Sequence, residues 1–253
     1  MKQFIYGFLL AVQFLSRLPI PVACPWNKET SKWALRNYPV VGLLIGTIIS
    51  LVTIFLQSYL PLAILVLLVL TLWVWLTGGL HLDGWMDVAD AIGSNAPLEK
   101  KWIIMKDPHV GSFGILALVF LLAWKATLLY FLLDISYQFI YVCMIIIAFS
   151  RFSAVSLLFF LPTAKKEGLA WEWKSNLSGL DIFIAVLPMC AAFVFFPSYF
   201  FVLPAYVLFI ALYGVWVRQV FKGINGDLLG TAIEGGELWG LAIAWIYFSF
   251  VMV

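Results

Sequence analysis

Charge is what this chain lacks. Only 11% of its 253 residues are Asp, Glu, Lys or Arg, against about a quarter in an ordinary soluble domain. That deficit leaves too little polar surface to hold a body of this size in water. It excludes a soluble enzyme, a disordered tail and a DNA-binding module. The net charge of +2 is too small for a nucleic-acid footprint, so no nucleic acid is expected as partner. Cysteine is scarce too, and Cys24, Cys143 and Cys190 stand at no metal or disulfide spacing. A phosphate-binding loop of the Gly-x4-Gly-Lys-Ser/Thr type is absent, which argues against a nucleotide-driven motor. His81 and His109 form no pair at ligand spacing.

What is present is apolar: 64% of the residues, with 22 Phe, 12 Trp and 10 Tyr. This predicts an all-α, polytopic integral membrane bundle, one domain over residues 1–253. A membrane helix needs roughly 20 mostly apolar residues. Seven spans are expected, at about 38–57, 61–77, 111–132, 137–161, 181–196, 199–221 and 237–253. The connections between them alternate. Those at 57–61, 133–137 and 196–204 are tight, with Asp134 their only charge; those at 17–37, 78–110, 162–180 and 218–236 are long and charged. Of 15 Lys and Arg, all but Lys125 and Arg151 lie in the N-terminal segment, the charged connections or their edges. Under the positive-inside rule that side is cytoplasmic. The N-terminal stretch after Lys2 has signal-segment character, and Val22-Ala23-Cys24 a faint lipoprotein box. Arg17, Pro19 and Pro21 interrupt that approach, so an uncleaved helix lying in or dipping into the interface is expected. Gly42 and Gly46 form a small-residue stripe for close helix packing.

Three polar constellations stand out. Asp83, Asp87 and Asp90, at i, i+4 and i+7, share one helical face. Like charges at that spacing repel unless a cation sits between them, and carboxylate oxygens suit a hard ion such as Mg²⁺. Gly78, Gly79 and Gly84 surround them. The bland reading is a solvated acidic loop. The second constellation, Met105 to Gly114, places Lys106, Asp107 and His109 just before a span, where a helix N-terminus can take phosphate. The third is Lys222 to Thr231, with Asp227 among glycines and Glu234 and Glu237 beyond. Gly235-Gly236 between those glutamates makes a regular helix there doubtful. Lys165, Lys166 and Lys174 add basic charge at 162–178. Lys125 and Arg151, inside spans, call for acidic partners in the bundle interior. Acids, cations and glycine turns at one membrane face suggest metal-assisted phosphoryl chemistry, with ion transport as the competing class.

The run Gly78-Gly79-Leu80-His81-Leu82-Asp83-Gly84-x-x-Asp87-x-x-Asp90 resembles the signature of the cobalamin synthase family, the adenosylcobinamide-GDP ribazoletransferases. Phe14-Leu15-x-Arg17-Leu18-Pro19, Pro39 to Gly46, Lys106-Asp107, Gly111-x-Phe113-Gly114, Ser150-Arg151 and Gly226-Asp227-x-x-Gly230 follow in the family's order. Thr231 departs from its common Ala.

The resemblance implies a Mg²⁺-dependent transferase of the bacterial inner membrane. It would join adenosylcobinamide-GDP to α-ribazole or its 5′-phosphate, late in cobalamin synthesis, and release GMP. On that reading Asp83, Asp87, Asp90 and Asp227 hold the metal. Asp83, Asp87, Asp107 and Asp227 are catalytic, with Asp107 the candidate base. His81, Lys106, Arg151, Gly78, Gly79 and Gly226 bind substrate. The lipid bilayer and possible further copies of the chain complete the partners. A CDP-alcohol-phosphotransferase-like enzyme, with different Asp spacing, or a polytopic transporter are the alternatives.

Overall fold

The computed structural model describes residues 2–251. The last two residues of the span expected at 237–253 lie outside them. Eleven α-helices follow one another among the described residues: α1 (Lys2–Leu15), α2 (Lys28–Leu56), α3 (Leu62–Thr77), α4 (Leu80–Gly93), α5 (Leu98–Ile104), α6 (Ser112–Ile135), α7 (Ile140–Phe160), α8 (Leu169–Asn176), α9 (Gly179–Phe195), α10 (Val202–Val220) and α11 (Gly226–Phe250). The only β-pairing described is a single bridge between Thr163 and Ile224. The expected all-α class holds, and the chain is a multi-pass membrane protein. Four helical stretches are long and apolar enough to cross a membrane, and up to six if two bent pairs each count as one span. Seven expected spans have seven helical counterparts, but α11 carries Asp227, Glu234 and Glu237 and is not among those candidates.

The helices begin earlier than hydropathy indicates. Asn27 starts α2 eleven residues before the expected span, its side chain accepting from the Thr30 N–H at 3.0 Å. Asn225 does the same for α11, accepting from the Leu228 N–H at 3.0 Å. The doubted Gly235-Gly236 stretch is regular helix. Its neighbours hold it: the Tyr206 hydroxyl donates to the Gly236 carbonyl at 2.7 Å.

Helix α7 lies at the centre, buried along almost its whole length, with α2 and α11 packed on it. The Gly42/Gly46 stripe explains the close approach of α2. A Cβ at Gly42 would come within 2.6 Å of the Ala148 Cα, and one at Gly46 within 2.4 Å of the Met144 Cα. Helix α1 lies on α2 and buries Leu10, Ala11, Val12 and Leu15. Apolar residues cover the outer faces of α6 (Val119, Phe120, Trp124) and α10 (Val207, Leu208, Leu212), as lipid requires.

The two intramembrane cations have their acids. The Lys125 ammonium meets Glu234 and Glu237 at 2.5 Å each, and Arg151 pairs with Glu237. All four are at most 3% exposed. Two positive and two negative charges cancel, which is how ionised groups survive in this setting.

The tight and the charged connections gather at opposite ends. At one end the Ser50 hydroxyl donates to the Ile140 carbonyl and Phe139 stacks on Phe248. At the other, the Arg17 N–H donates to the Leu76 carbonyl, the Ile224 N–H to Pro162, and Lys174 to the carbonyls of Leu158, Phe159 and Leu161. The polar end is more helical than a loop reading allows, since α4, α5 and α8 all lie there.

Candidate active site

Helix α3 ends on two left-handed residues, Gly78 (φ 68°) and Gly79 (φ 70°). Only glycine takes that conformation without strain, and two in succession turn the chain by 91° into α4. We read α3 as the spanning limb and α4 as an arm outside it. A Cβ on Gly78 would also strike the Arg17 side chain at 2.5 Å. Gly78 and Gly79, expected to touch substrate, make this corner instead and do not line the cavity described below.

The corner aims α4 at the first turn of α11. A Cβ on Gly84 would sit 2.8 Å from the Asp227 carbonyl oxygen and 2.9 Å from its Cα, and the Thr231 hydroxyl donates to the Gly84 carbonyl at 3.0 Å. Two constellations about 140 residues apart are thereby one. Asp227 is further fixed by the Asn225 side-chain amide, which donates to it at 2.7 Å.

Asp83 and Asp227 line a cavity of about 540 Å³ at the polar end, with His81, Lys106 and Gly226. Asp87 stands close by. Partial burial and the charges of Asp83, Asp227 and Asp90 push its carboxyl up to about 6. No salt bridge among the described residues involves any of these four acids. His81 is buried and its Nδ1 has no partner. Burial, aided by Arg151, lowers its pKa to about 3, so the imidazole is neutral.

Asp90 is differently employed. Its two oxygens accept from the Gly111 N–H at 2.7 Å and the Gly114 N–H at 2.9 Å, closing the N-terminus of α6. Among the described residues no three His, Cys, Asp or Glu side chains converge closely enough to hold a metal as they stand. Asp107 is exposed and bonded to the His109 N–H and ring. Those bonds hold its carboxyl below the usual range, which weakens it as a base, and it does not line the cavity. Arg151, expected at the substrate, has no exposed surface and serves Glu237.

From sequence Lys165 is one of several lysines at 162–178 that could attract phosphate, with nothing to single it out. It lines the cavity with Lys106, and its amine beside Lys106 lowers the latter's pKa. Glu167 lines the same cavity, 3.8 Å from the Lys165 amine, so this part of the rim carries two positive charges against one negative, a balance that suits an anion. The aromatic wall of Phe14, Tyr38, Trp171 and Trp173 was also missed, because in so aromatic a chain nothing distinguishes it. The Asn225 cap had a legible signal: Asn before Gly and Asp at a helix start.

A model of the family described as Cobalamin-5-phosphate synthase matches residues 7–245. The chain belongs to that family. Curated relatives of the synthase family agree across nearly the whole length. One from Geobacillus sp. (strain WCH70), named adenosylcobinamide-GDP ribazoletransferase, is 33% identical and covered over 98% of both chains. One of the same name from Halalkalibacterium halodurans is also 33% identical over 98% of both. A third, from Acinetobacter baumannii, is 36% identical over 91% of this chain and 93% of its own. No solved structure matches. The synthase family's late step in cobalamin biosynthesis is enzymatic.

Proposed function

We propose that the chain joins adenosylcobinamide-GDP to α-ribazole, or α-ribazole 5′-phosphate, and releases GMP. The observation that carries this is the meeting of α4 with the start of α11. It sets Asp83 and Asp227 in one cavity with Lys106 and Lys165, acids for a hydroxyl and cations for a diphosphate. A ribose hydroxyl attacks the phosphorus bonded to cobinamide. The new O–P bond forms as the bridging O–P bond to GMP breaks, and GMP leaves with the electron pair. Asp83 and Asp227, the two aspartates that line the cavity, take the hydroxyl proton. Lys106 and Lys165 hold the diphosphate and face the charge that develops on the leaving phosphate.

The acids fit a divalent ion by their chemistry: oxygen donors, unpaired by any Lys or Arg, with mutual repulsion already felt at Asp87. Asp83, Asp87 and Asp227 would hold Mg²⁺, which would neutralise the diphosphate and stabilise the leaving group. Asp90 is left out of that set. The site faces the cytoplasm of a bacterial inner membrane, since the cationic connections gather on its side.

Purified protein in detergent, given Mg²⁺, adenosylcobinamide-GDP and α-ribazole 5′-phosphate, is expected to release GMP and form the joined corrinoid. No GMP release from folded protein would overturn the transferase reading. A transporter would show its function only across a sealed vesicle.

A further inference from the structure

The acidic and basic groups occupy only part of the cavity. Another wall, built by α1, α2, α7 and α8, is apolar: Phe14, Leu35, Tyr38, Leu158, Trp171 and Trp173 line it. Trp173 anchors that wall, 3% exposed, with the rings of Phe14 and Tyr38 at 4.8 and 5.7 Å. Its indole N–H is buried without a hydrogen-bond partner. That N–H is closed even to water, so Trp173 supplies shape rather than a donor; the donor within an occupant's reach is the indole of Trp171, 41% exposed on the same wall.

We propose that this aromatic chamber binds a flat heteroaromatic base, and that the base is the benzimidazole of α-ribazole. The inference rests on the transferase reading. Volume, polarity and direction support it. The cavity, about 540 Å³, falls in the range of roughly 300–1,000 Å³ that encloses a drug-sized ligand. A nucleoside fits within it, whereas a corrin ring with its amide arms overflows it. The other base in the reaction, guanine, carries several donors and acceptors along its edges. In this wall the side-chain polar groups left for them are the Trp171 indole N–H and the Tyr38 hydroxyl, and unmatched polar groups would be buried. Benzimidazole offers one acceptor nitrogen and otherwise apolar edges, and stacks on aromatic faces. A base seated against Trp173 extends its ribose along the cavity toward Asp83 and Asp227, where a hydroxyl is needed. GMP then leaves on the lysine side.

The test uses full-length protein in detergent with Trp173→Phe, which narrows the anchoring ring, and Trp171→Ala, which removes the exposed part of the wall and its N–H. Binding of α-ribazole and of GMP is measured by equilibrium dialysis, and KM is measured for both substrates. Each variant is expected to weaken α-ribazole binding and raise its KM about fivefold to tenfold. GMP binding and the KM for adenosylcobinamide-GDP stay unchanged. Wild-type affinity for α-ribazole in both variants would overturn the proposal. So would a loss of GMP affinity in its place, which would assign the chamber to guanine. If Trp173→Phe fails to fold, Trp171→Ala decides alone. Trp-dependent α-ribazole binding without GMP release would keep the chamber and remove the transfer reaction; turnover with an unaltered ribazole KM would do the reverse.

Discussion

Replacing Asp90 with Asn separates two roles that its spacing from Asp83 and Asp87 makes look alike. As built, both Asp90 oxygens accept main-chain hydrogen bonds, at 2.7 Å from Gly111 and 2.9 Å from Gly114. Asn keeps one acceptor and turns an N–H₂ group toward the other amide. The lost bond is to a charged acceptor, worth about 1.5–3 kcal/mol. Losing a negative charge at the α6 N-terminus adds about 0.3–1 kcal/mol. The sum, about 2–4 kcal/mol, corresponds to roughly 30-fold to several hundred-fold more frequent opening of that turn at about 1.4 kcal/mol per decade. Hydrogen exchange on peptides covering 106–116 should quicken accordingly, while the interior of α6 stays protected. Lys106 lies a few residues before that turn, so the KM for adenosylcobinamide-GDP should rise. The Mg²⁺ concentration for half-maximal rate should not. A Mg²⁺ requirement shifted tenfold upward, with excess metal restoring turnover, would refute the cap and make Asp90 a ligand.

Asp83→Asn and Asp87→Asn should each lower turnover by orders of magnitude with normal yield, partly rescued by excess Mg²⁺ or Mn²⁺; near-normal turnover in both would reject the metal assignment. Because Asp87 holds a proton up to about pH 6, the half-saturating Mg²⁺ concentration should fall as pH rises through that value, read by titrating activity between pH 5 and 8. Lys125→Met strands Glu234 and leaves Glu237 to Arg151 alone, and should cost about 3–5 kcal/mol. Thermal inactivation in detergent would show it, and Lys125→Met with Glu234→Leu should recover much of the loss. Single cysteines at Asn95 and Ser198, in a background without the native three, should label from opposite sides of a vesicle; labelling from one side would sink the orientation.

Much of the bundle was legible because a membrane enforces it: about 20 apolar residues per crossing and charge kept to one side. The polar end was less so. Hydropathy registers where lipid begins, not where helix begins, so it places the starts of α2 and α11 late and is silent on α5 and α8, while the Asp83/Asp87/Asp90 spacing alone points to α4. The early starts of α2 and α11 lie in the caps Asn27 and Asn225. That Asp83, Asp87 and Asp90 share a face was legible from spacing, and the meeting of Gly84 with Asp227 was foreshadowed only by both segments being rich in glycine. Arg151 misled because its need for an acid was clear while the acid was not. Glu237 takes its Nη1 inside the bundle, while Nε and Nη2 stay buried without a partner, away from the cavity lining.

The division of labour along α4 follows from helix geometry. Steps of 100° bring Asp83, Asp87 and Asp90 within a narrow sector, which makes them one face. A face also has length. At 1.5 Å per residue, Asp83 and Asp87 are about 6 Å apart along the axis and Asp83 and Asp90 about 10 Å. An ion with ligand distances of about 2.0–2.1 Å can be shared by side chains one turn apart, but two turns exceed the reach of two short Asp side chains. The far acid must therefore have its own partner, and the helix meets a different one at each end. Near Asp83 it crosses the start of α11, where Asp227 adds a carboxylate. Near Asp90 it crosses the start of α6, where free N–H groups await an acceptor. A single stripe of carboxylates thus faces another carboxylate at one end and closes a helix terminus at the other. The same rigid arm sets the distance between the acids and the segment that carries Lys106.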